Sequence, residues 1–353
     1  MATVTELPFD IDNRRVLLVG FSERYKYFGQ MFYATFQMMR NGFIRAGTGA
    51  YLFSDRDTAD FAAPLAIRQL GKIAANKKLL TLVDELEPVA IGLMHCDLIT
   101  DQTIEQIRRV HPKVSIFSYF IDPIHIDLQH DRFARFVSLS DVSFATTAGP
   151  ALAKFRKYGN VGFMPNPIDP TVFFARSFQR DHHQHDFFFA GKPKGRDSLL
   201  TELEGLLPSR NCGFYMRVAR GSKFAIGGAT YHTVLGRSKI AINAAVDDSP
   251  YFYSSDRVAQ YFSAGCLVAQ PNGAKLDELY GPSTMLSFSD AQELADKAED
   301  LLQSGRWKEI ARHGQERAVA VSNSELIARY MIDRCADQQS FDWPAWSNEF
   351  YTK

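Results

Sequence analysis

Short apolar runs alternate with longer amphipathic segments from residue 14 onward, and no other feature constrains the fold as strongly. Each apolar run has the length of one strand, and each segment between two runs is long enough for a helix. Repeated strand–helix units bring their strands side by side in a parallel sheet with helices on both faces. The sequence therefore predicts an α/β protein.

The first half of the chain is a complete doubly wound domain by this pattern. Its predicted strands begin at Val16, Ala50, Val89, Val114, Val142 and Val161. Its predicted helices span residues 30–40, 64–86, 101–109, 127–137 and 150–158.

The second half repeats the alternation after a stretch that loses hydrophobic periodicity. Its predicted strands begin at Asp186, Cys212, Lys239, Cys266 and Thr284, and its predicted helices span 196–207, 256–264, 291–303, 306–321 and 325–336. A chain of 353 residues exceeds the usual size of one core. We expect one Rossmann-like domain over 14–169, a linker over 170–185, a second Rossmann-like domain over 186–322, and a tail over 323–353 that packs on the first domain.

Charge and composition narrow the classes of function. The chain has 40 basic residues (Lys and Arg) and 40 acidic residues (Asp and Glu). No overall electric field therefore attracts it to nucleic acid or to anionic lipid. The four cysteines form no CxxC pair, which indicates reduced thiols. A secretory leader and a run of eighteen apolar residues are both missing from the sequence, so we expect a cytoplasmic protein with at most peripheral membrane contact.

Residues 256–271, DRVAQYFSAGCLVAQP, combine a helix start, an amphipathic helix, a glycine stop and a strand. Asp256 or Ser255 can cap the first N–H groups, and Gly265 ends the helix. In an open α/β sheet this turn lies at the carboxyl edge of the strands, where ligands bind. A helix N-terminus with Arg257 beside it is suited to a phosphate group.

Cations follow three predicted strands of the second domain at the same edge. They are Lys192, Lys194, Arg196, Arg217 and Arg257. If they converge, they can hold a diphosphate and stabilise the charge that develops on it as a leaving group, and no metal ion is then required. The alternative is that each is a solvated loop charge.

Polar side chains also follow the strands of the first domain. Residues 22–27 carry no GxGxxG pattern, which makes a dehydrogenase less likely than other α/β enzymes. His95 and Asp97 follow the third strand, and Asp122 and His125 follow the fourth. Any of the four can serve as general base toward an acceptor hydroxyl, with Asp122 the first choice. The alternative for Asp122 is a cap on the next helix, and a structural role is favoured for His95.

Metal and hydrolase signatures are weak. His182, His183 and His185 lack ligand spacing and predict a solvated turn. Asp55 and Asp57 form a DxD pattern, for which a surface turn is the favoured interpretation. The sequence contains no GxSxG elbow of a serine hydrolase.

Several motifs of the second half, taken in order, resemble one family. They are DFFFAGKPKGR, Tyr231 ahead of LGRSKIAINAA, SSDRVAQYFSAGCLVAQP, LSFSDAQELADKAEDLLQS and IARHGQERAVA. The first half is similar in outline through YFIDP, ATTAGPALAKFRKYG and FMPNPIDPTVF. This chain resembles the CgeB-like glycosyltransferases of the GT-B fold over most of 140–321.

The resemblance implies two Rossmann-like domains that face each other across a cleft. The second domain binds a nucleotide-sugar donor, and the first holds a glycan, lipid-linked or protein acceptor. The donor-binding residues implied are Lys192, Lys194, Arg196, Arg217, Tyr231, Ser254, Ser255, Arg257 and Gln260. Members of the family place a Glu that binds ribose where this chain has Gln260, and glutamine loses the charge-assisted bond to a hydroxyl.

The sequence thus predicts a metal-independent, cytoplasmic glycosyltransferase that uses no cofactor besides its donor and acts in surface polysaccharide biosynthesis. The alternative is a non-catalytic nucleotide-sugar or glycan-binding protein with the same fold, which Gln260 motivates. A GT-B epimerase or phosphorylase ranks lower, because no lysine site for a pyridoxal cofactor is recognisable.

Overall fold

The computed structural model describes residues 13–20, 30–63, 67–191, 197–210, 212–218, 226–244, 247, 249–336 and 342–353, with the backbone alone at 68, 69, 197, 217 and 218. The chain divides into two compact units. The first unit comprises Met1–Met164 and Ser324–Lys353, and the second comprises Pro165–Asn323.

The described strands form one sheet in each unit. In chain order they are β1 Arg15–Gly20, β2 Gly49–Ser54, β3 Ala90–Met94, β4 Ser115–Phe120, β5 Val142–Ala145, β6 Asn160–Phe163, β7 His185–Gly191, β8 Phe214–Val218, β9 Ser238–Ile242, β10 Leu267–Pro271, β11 Leu286–Phe288 and β12 Phe350–Tyr351. The first sheet has the order β12-β6-β5-β4-β3-β1-β2, and the second β11-β10-β9-β7-β8. Only the pairing of β12 with β6 is antiparallel among the described strands.

The described α-helices lie between these strands and at the chain end. They are α1 Thr35–Arg45, α2 Asp55–Ala62, α3 Arg68–Leu86, α4 Asp101–Val110, α5 Asp127–Leu139, α6 Pro150–Ala153, α7 Asp197–Ser209, α8 Gly228–Leu235, α9 Asp256–Ser263, α10 Leu276–Tyr280, α11 Ala291–Ser304, α12 Trp307–Ser322 and α13 Ser324–Cys335. None of the helices within the described ranges combines the length and apolar composition that a membrane crossing needs.

The central strands are covered on both faces, as parallel sheets require. Val16, Leu17, Leu18 and Val19 of β1 are all fully buried, although their side chains point alternately to opposite faces. Strand β9 has the same character, with Ile240, Ala241 and Ile242 fully buried. The prediction of an α/β fold with two Rossmann-like domains is confirmed.

Several predicted elements differ from the structure in the first unit, among them the helix predicted over 150–158, which is α-helical only over Pro150–Ala153. The helix predicted from residue 30 begins at Thr35, and the helix predicted over 64–86 begins at Arg68. Residues 55–62, where a surface turn was expected, form α2 instead. The reason is local, because the Ser54 hydroxyl accepts a hydrogen bond from Asp57 N–H and caps the helix.

The stretch predicted as a linker packs within the second unit. A short 3-10 helix spans Ser177–Gln179, and the Ser177 hydroxyl donates to the carbonyl of Ser238 at 2.6 Å. The His183 ring lies 2.9 Å from the carbonyl of Ser177 and contacts Trp307 edge-on, while His185 opens β7. The expected solvated histidine turn holds for the exposed His182 alone, because hydrogen bonds and ring contacts fix His183 and His185.

The C-terminal segment completes the first unit. Trp346 is buried and packs edge-on against Tyr330 of α13 and Phe163 of β6, with ring centroids 4.9 and 6.2 Å apart. The Glu349 carboxylate accepts a hydrogen bond from the N–H of Gly149 at 2.8 Å, just before α6. This segment therefore packs on the edge of the first sheet that is formed by β6, to which it adds β12.

Both sheets reverse their strand order at one point. In the first sheet the reversal lies between β1 and β3, and in the second it lies between β7 and β9. Ligands of open α/β sheets bind outside the carboxyl ends of the strands at this reversal. The residues that follow β3 and β9 therefore occupy the positions where a ligand is expected in each unit.

Candidate functional site

Arg257 lies at the strand reversal of the second sheet, in the first turn of α9. Its Nη2 donates to Asn243 Oδ1 at 3.4 Å and to the carbonyl of Ala244 at 3.3 Å, both directly after β9. The guanidinium carbon lies 5.7 Å from the ring centre of Phe189 in β7. The guanidinium therefore spans the two strands between which the sheet order changes.

Two asparagines organise the turn before α9. Asn166, which is fully buried, donates from Nδ2 to the carbonyl and the hydroxyl of Ser254 at 2.9 and 3.1 Å. Ser255 is the N-cap residue, but its hydroxyl donates to Asn243 Oδ1 at 3.0 Å instead of accepting from the helix. The expected side-chain cap at Ser255 is therefore wrong, because Asn243 binds that hydroxyl.

Gln260 and Tyr231 are buried in the second unit. Gln260 Nε2 lies 3.5 Å from Asp256 Oδ2, one helical turn back. Tyr231 in α8 contacts the Phe188 ring edge-on at 5.7 Å. Both side chains thus pack inside the unit that carries Arg257.

The other predicted cations cannot be compared with Arg257. Lys192, Lys194 and Arg196 lie outside the described residues, as does the side chain of Arg217. Strand β8, to which Arg217 belongs, pairs with β7 next to the reversal.

In the first unit, His95 and Asp122 follow neighbouring parallel strands and lie together. His95 comes directly after β3, with a left-handed backbone at φ 53°, and its Nδ1 lies 3.8 Å from Asp122 Oδ2. The N–H of Ile121 donates to His95 Nε2 at 3.4 Å, which places the ring proton on Nδ1, toward Asp122. Asp122 does not cap α5, whose N-cap residue is Ile126.

Two arginines and a second carboxylate surround this pair. Asp97 accepts from Arg132 Nη2 at 2.5 Å and from Arg56 Nη2 at 2.8 Å, and so joins α5 to α2. Arg132 Nη1 also lies 3.7 Å from Asp122 Oδ2. The same oxygen of Asp122, Oδ2, therefore lies near both a histidine and a guanidinium.

Burial and charge shift the pKa values of this cluster in different directions. Burial lowers the pKa of His95, so its imidazole is neutral near pH 7. Burial favours the neutral form of Asp97, but the hydrogen bonds from Arg132 and Arg56 outweigh it and hold the pKa of Asp97 below its ordinary value. The cluster thus combines a neutral imidazole with an ionised, doubly bound carboxylate.

His125 lies in the loop after Asp122, and both of its ring nitrogens are buried. Residues 22–27, which were expected to contribute to this edge, are outside the described part of the chain.

The DxD pair is buried rather than exposed, which corrects the surface-turn interpretation. Asp55 accepts from the N–H of Leu98 at 3.1 Å and from that of Arg56 at 2.9 Å. Burial raises the pKa of Asp55 to about 6. No group of three or more His, Cys, Asp and Glu side chains that could hold a metal ion occurs among the described residues.

Five residues of these clusters escaped the sequence analysis. They are Arg56, Arg132, Asn166, Asn243 and Gln270, of which Gln270 accepts a hydrogen bond from Asn243 Nδ2. Asn243 and Gln270 carried a usable signal, since each is the first polar residue at the end of an apolar strand and parallel strands end at the same edge. Arg56 and Arg132 carried none, because arginines on amphipathic helices are usually solvated.

Both units match the Rossmann-like domains of solved glycosyltransferases with the GT-B fold. Sucrose-phosphate synthase from Thermosynechococcus elongatus superposes with a TM-score of 0.59 at 13% identity, covering 90% of this chain and 97% of the synthase. A glycosyltransferase from Rickettsia africae gives 0.56 at 9% identity, covering 94% and 100%. HepE from Anabaena, solved with UDP-glucose, gives 0.54 at 12% identity, covering 92% and 99%.

One family model matches part of the chain by sequence. Residues 209–333 match the family described as glycosyl transferase-like, which is less than half of the chain. The matched segment includes Asn243, Arg257 and Gln270. No curated protein sequence matches the chain.

Proposed function

We propose that this chain is a glycosyltransferase that moves a sugar from a nucleoside-diphosphate donor to a hydroxyl of a glycan, lipid-linked or protein acceptor. The observation that carries the proposal is Arg257, a half-buried guanidinium at the strand reversal of the second sheet, where ligands of such sheets bind. The glycosyl transferase-like match over the same region supports it.

Arg257 acts on the leaving group in this proposal. When the glycosidic bond breaks, the nucleoside diphosphate gains negative charge, and a fixed cation beside it lowers the energy of the transition state. Lys192, Lys194, Arg196 and Arg217 are proposed to share this role with Arg257. Transfer then needs no metal ion, and metal independence is part of the proposal.

The other proposed donor contacts come from the turn that leads into α9 and from two buried side chains. Ser254 and Ser255 belong to the turn, and Gln260 is proposed to meet the ribose hydroxyls. Tyr231 supports the donor region from α8.

Asp122 is the proposed general base in the first unit. It removes the proton of the acceptor hydroxyl as the new glycosidic bond forms, a task for a carboxylate that can approach the substrate. The neutral His95 directs its Nδ1–H toward Asp122 and keeps the carboxylate oriented. His125 is proposed to complete the acceptor surface. The place of action is proposed to be the cytoplasm, in polysaccharide biosynthesis.

A nucleotide-release assay tests this function. HepE has been solved with UDP-glucose and with UDP and glucose, so UDP-glucose is the first donor to test, followed by GDP-, ADP- and dTDP-sugars. We expect at least one nucleoside diphosphate to raise the melting temperature, because a ligand that binds only the native state stabilises it. We also expect that diphosphate to be released from its sugar.

A second candidate is a nucleotide-sugar-binding protein without transferase activity. The observation in its favour is Gln260, which is buried and directed to Asp256. Such a protein binds nucleotide sugar and never releases free nucleotide, so the same assay separates the two candidates.

A further inference from the structure

A buried pair of amide side chains lies beneath Arg257. Asn243 comes directly after β9, and Gln270 is the second-last residue of the neighbouring strand β10. Both side chains are at most 1% exposed. Asn243 Nδ2 donates to Gln270 Oε1 at 2.7 Å, and Gln270 Nε2 donates to the carbonyl of Pro271 at 3.1 Å. The backbone N–H of Asn243 also donates to the carbonyl of Ala269 at 2.8 Å.

These bonds decide which way the amide of Asn243 faces. Its NH2 group is taken by Gln270, so its oxygen is turned to Ser255 and Arg257, at 3.0 and 3.4 Å. A guanidinium has no acceptor atom, so only this orientation gives Arg257 a hydrogen bond to Asn243. Gln270 thereby fixes Asn243, and Asn243 fixes both the turn and the cation.

The partners of Arg257 are all electrically neutral in the described structure. It contacts an amide oxygen, a backbone carbonyl and the Phe189 ring, and it forms no ion pair with a described residue. Its Nε is buried and has no hydrogen-bond partner within the described residues. Two other half-buried arginines bind carboxylates instead: Arg132 is bound by Asp97, and Arg210 is bound by Asp296 and Glu299.

A carboxylate in place of the Asn243 amide could still accept hydrogen bonds from Ser255 and Arg257, but it would have no N–H for Gln270 and would neutralise the cation. The neutral amide holds the guanidinium in place and leaves its positive charge for an external anion. Charge-assisted hydrogen bonds to such an anion are about twice as strong as neutral ones. The choice of amide over carboxylate therefore matters for binding rather than for packing.

We propose that Asn243 and Gln270 are positioning residues that hold Arg257 through neutral contacts, so that its charge is available to the diphosphate of the donor. The proposal rests on the proposed function, because it takes a nucleoside diphosphate as the ligand. It predicts that substitutions in the pair lower the affinity for the phosphate part of the nucleotide. The affinity for the nucleoside part should be unchanged.

The test is Asn243→Asp, which keeps the shape of the side chain and adds a negative charge next to Arg257. Affinities for UDP and for uridine are measured by calorimetry and by ligand-observed NMR, with the ADP, GDP and dTDP pairs tested in the same way. We expect the affinity for the diphosphate to fall about tenfold or more, with the affinity for the nucleoside unchanged. The matched control is Asn272→Asp, an exposed position near the same strand end with the same change in charge.

If the pair had a purely structural role, the affinities for the diphosphate and for the nucleoside would fall in the same proportion, and this result would overturn the proposal. An unchanged affinity for the diphosphate would overturn it as well. If Asn243→Asp does not fold, Gln270→Met removes the acceptor that orients Asn243, and the same selective loss is expected. If the wild-type protein binds none of the diphosphates, the proposed function itself fails. If it binds one and the variants bind it equally well, only the role of the amide pair fails.

Discussion

His95 Nδ1 lies 3.8 Å from Asp122 Oδ2, while the Nε2 of the same ring accepts a hydrogen bond from Ile121. The imidazole is therefore neutral and directs its single N–H toward the carboxylate. Because these residues follow adjacent parallel strands next to the strand reversal, the pair is fixed by the sheet itself. This arrangement places a neutral N–H near the carboxylate without adding a full positive charge from the histidine.

Asp122→Asn tests the proposed base. We expect the rate of sugar transfer to fall by about 10²- to 10⁴-fold, because the amide cannot take the proton of the acceptor hydroxyl. Donor affinity should be unchanged, since Asp122 is in the first unit and the proposed donor residues are in the second. The measurement is steady-state transfer together with donor calorimetry.

Asp131→Asn is the matched control, because Asp131 lies in α5 with its side chain 92% exposed. Full transfer activity in Asp122→Asn would remove Asp122 from the mechanism.

Asp55 should make stability depend on pH in an unusual direction. Its pKa is raised to about 6 in the folded protein, whereas an unfolded aspartate titrates near pH 4. Between these values the folded state binds more protons, so the free energy of unfolding falls as the pH rises from about 4 to about 6 and is then constant. A shift of about two units corresponds to about 3 kcal/mol.

Asp55→Asn removes this titration. Urea unfolding of both proteins from pH 4 to pH 7 should show the variant gaining about 2 to 3 kcal/mol relative to the wild type over that interval. Parallel stability curves would show that the carboxyl group of Asp55 is not held in its neutral form by burial.

Trp346→Ala should destabilise the first unit by about 3 to 5 kcal/mol, because it leaves a cavity between α13 and β6. Asn348→Ala, an exposed neighbour in the same 3-10 helix, should change the free energy of unfolding by less than about 0.5 kcal/mol. Urea denaturation gives both values. A loss of under 1 kcal/mol for Trp346→Ala would mean that the C-terminal segment contributes little to this unit.

The sequence predicted the sheet elements well, because buried parallel strands produce apolar runs such as those of β1 and β9. It also predicted the end of α9, where Gly265 has φ 68° and a Cβ atom would lie 2.9 Å from the N–H of Ser177. Helix α2 was missed although Ser54 and Asp57 have the spacing of an N-terminal cap. The DxD pattern of Asp55 and Asp57 had instead been interpreted as a surface turn.

The surroundings of the site were much less predictable. Arg257 was identified from its place at a helix start, but its partners Asn243 and Gln270 depend on the pairing of β9 with β10. Arg132 of α5 reaches Asp97 in the turn after β3, 35 residues away in sequence. Contacts of this kind depend on how elements pack, and short-range patterns carry no information about that packing.

Calorimetric titration of nucleoside diphosphates into the wild type and Arg257→Ala tests the central claim most directly. We predict binding of at least one diphosphate and a loss of about 1.5 to 3 kcal/mol in the variant, the scale of a lost charge-assisted hydrogen bond. Arg312→Ala, which removes an exposed guanidinium paired with Glu316 in the same unit, should bind like the wild type. Equal affinity of Arg257→Ala and the wild type would contradict the donor site proposed for the second unit.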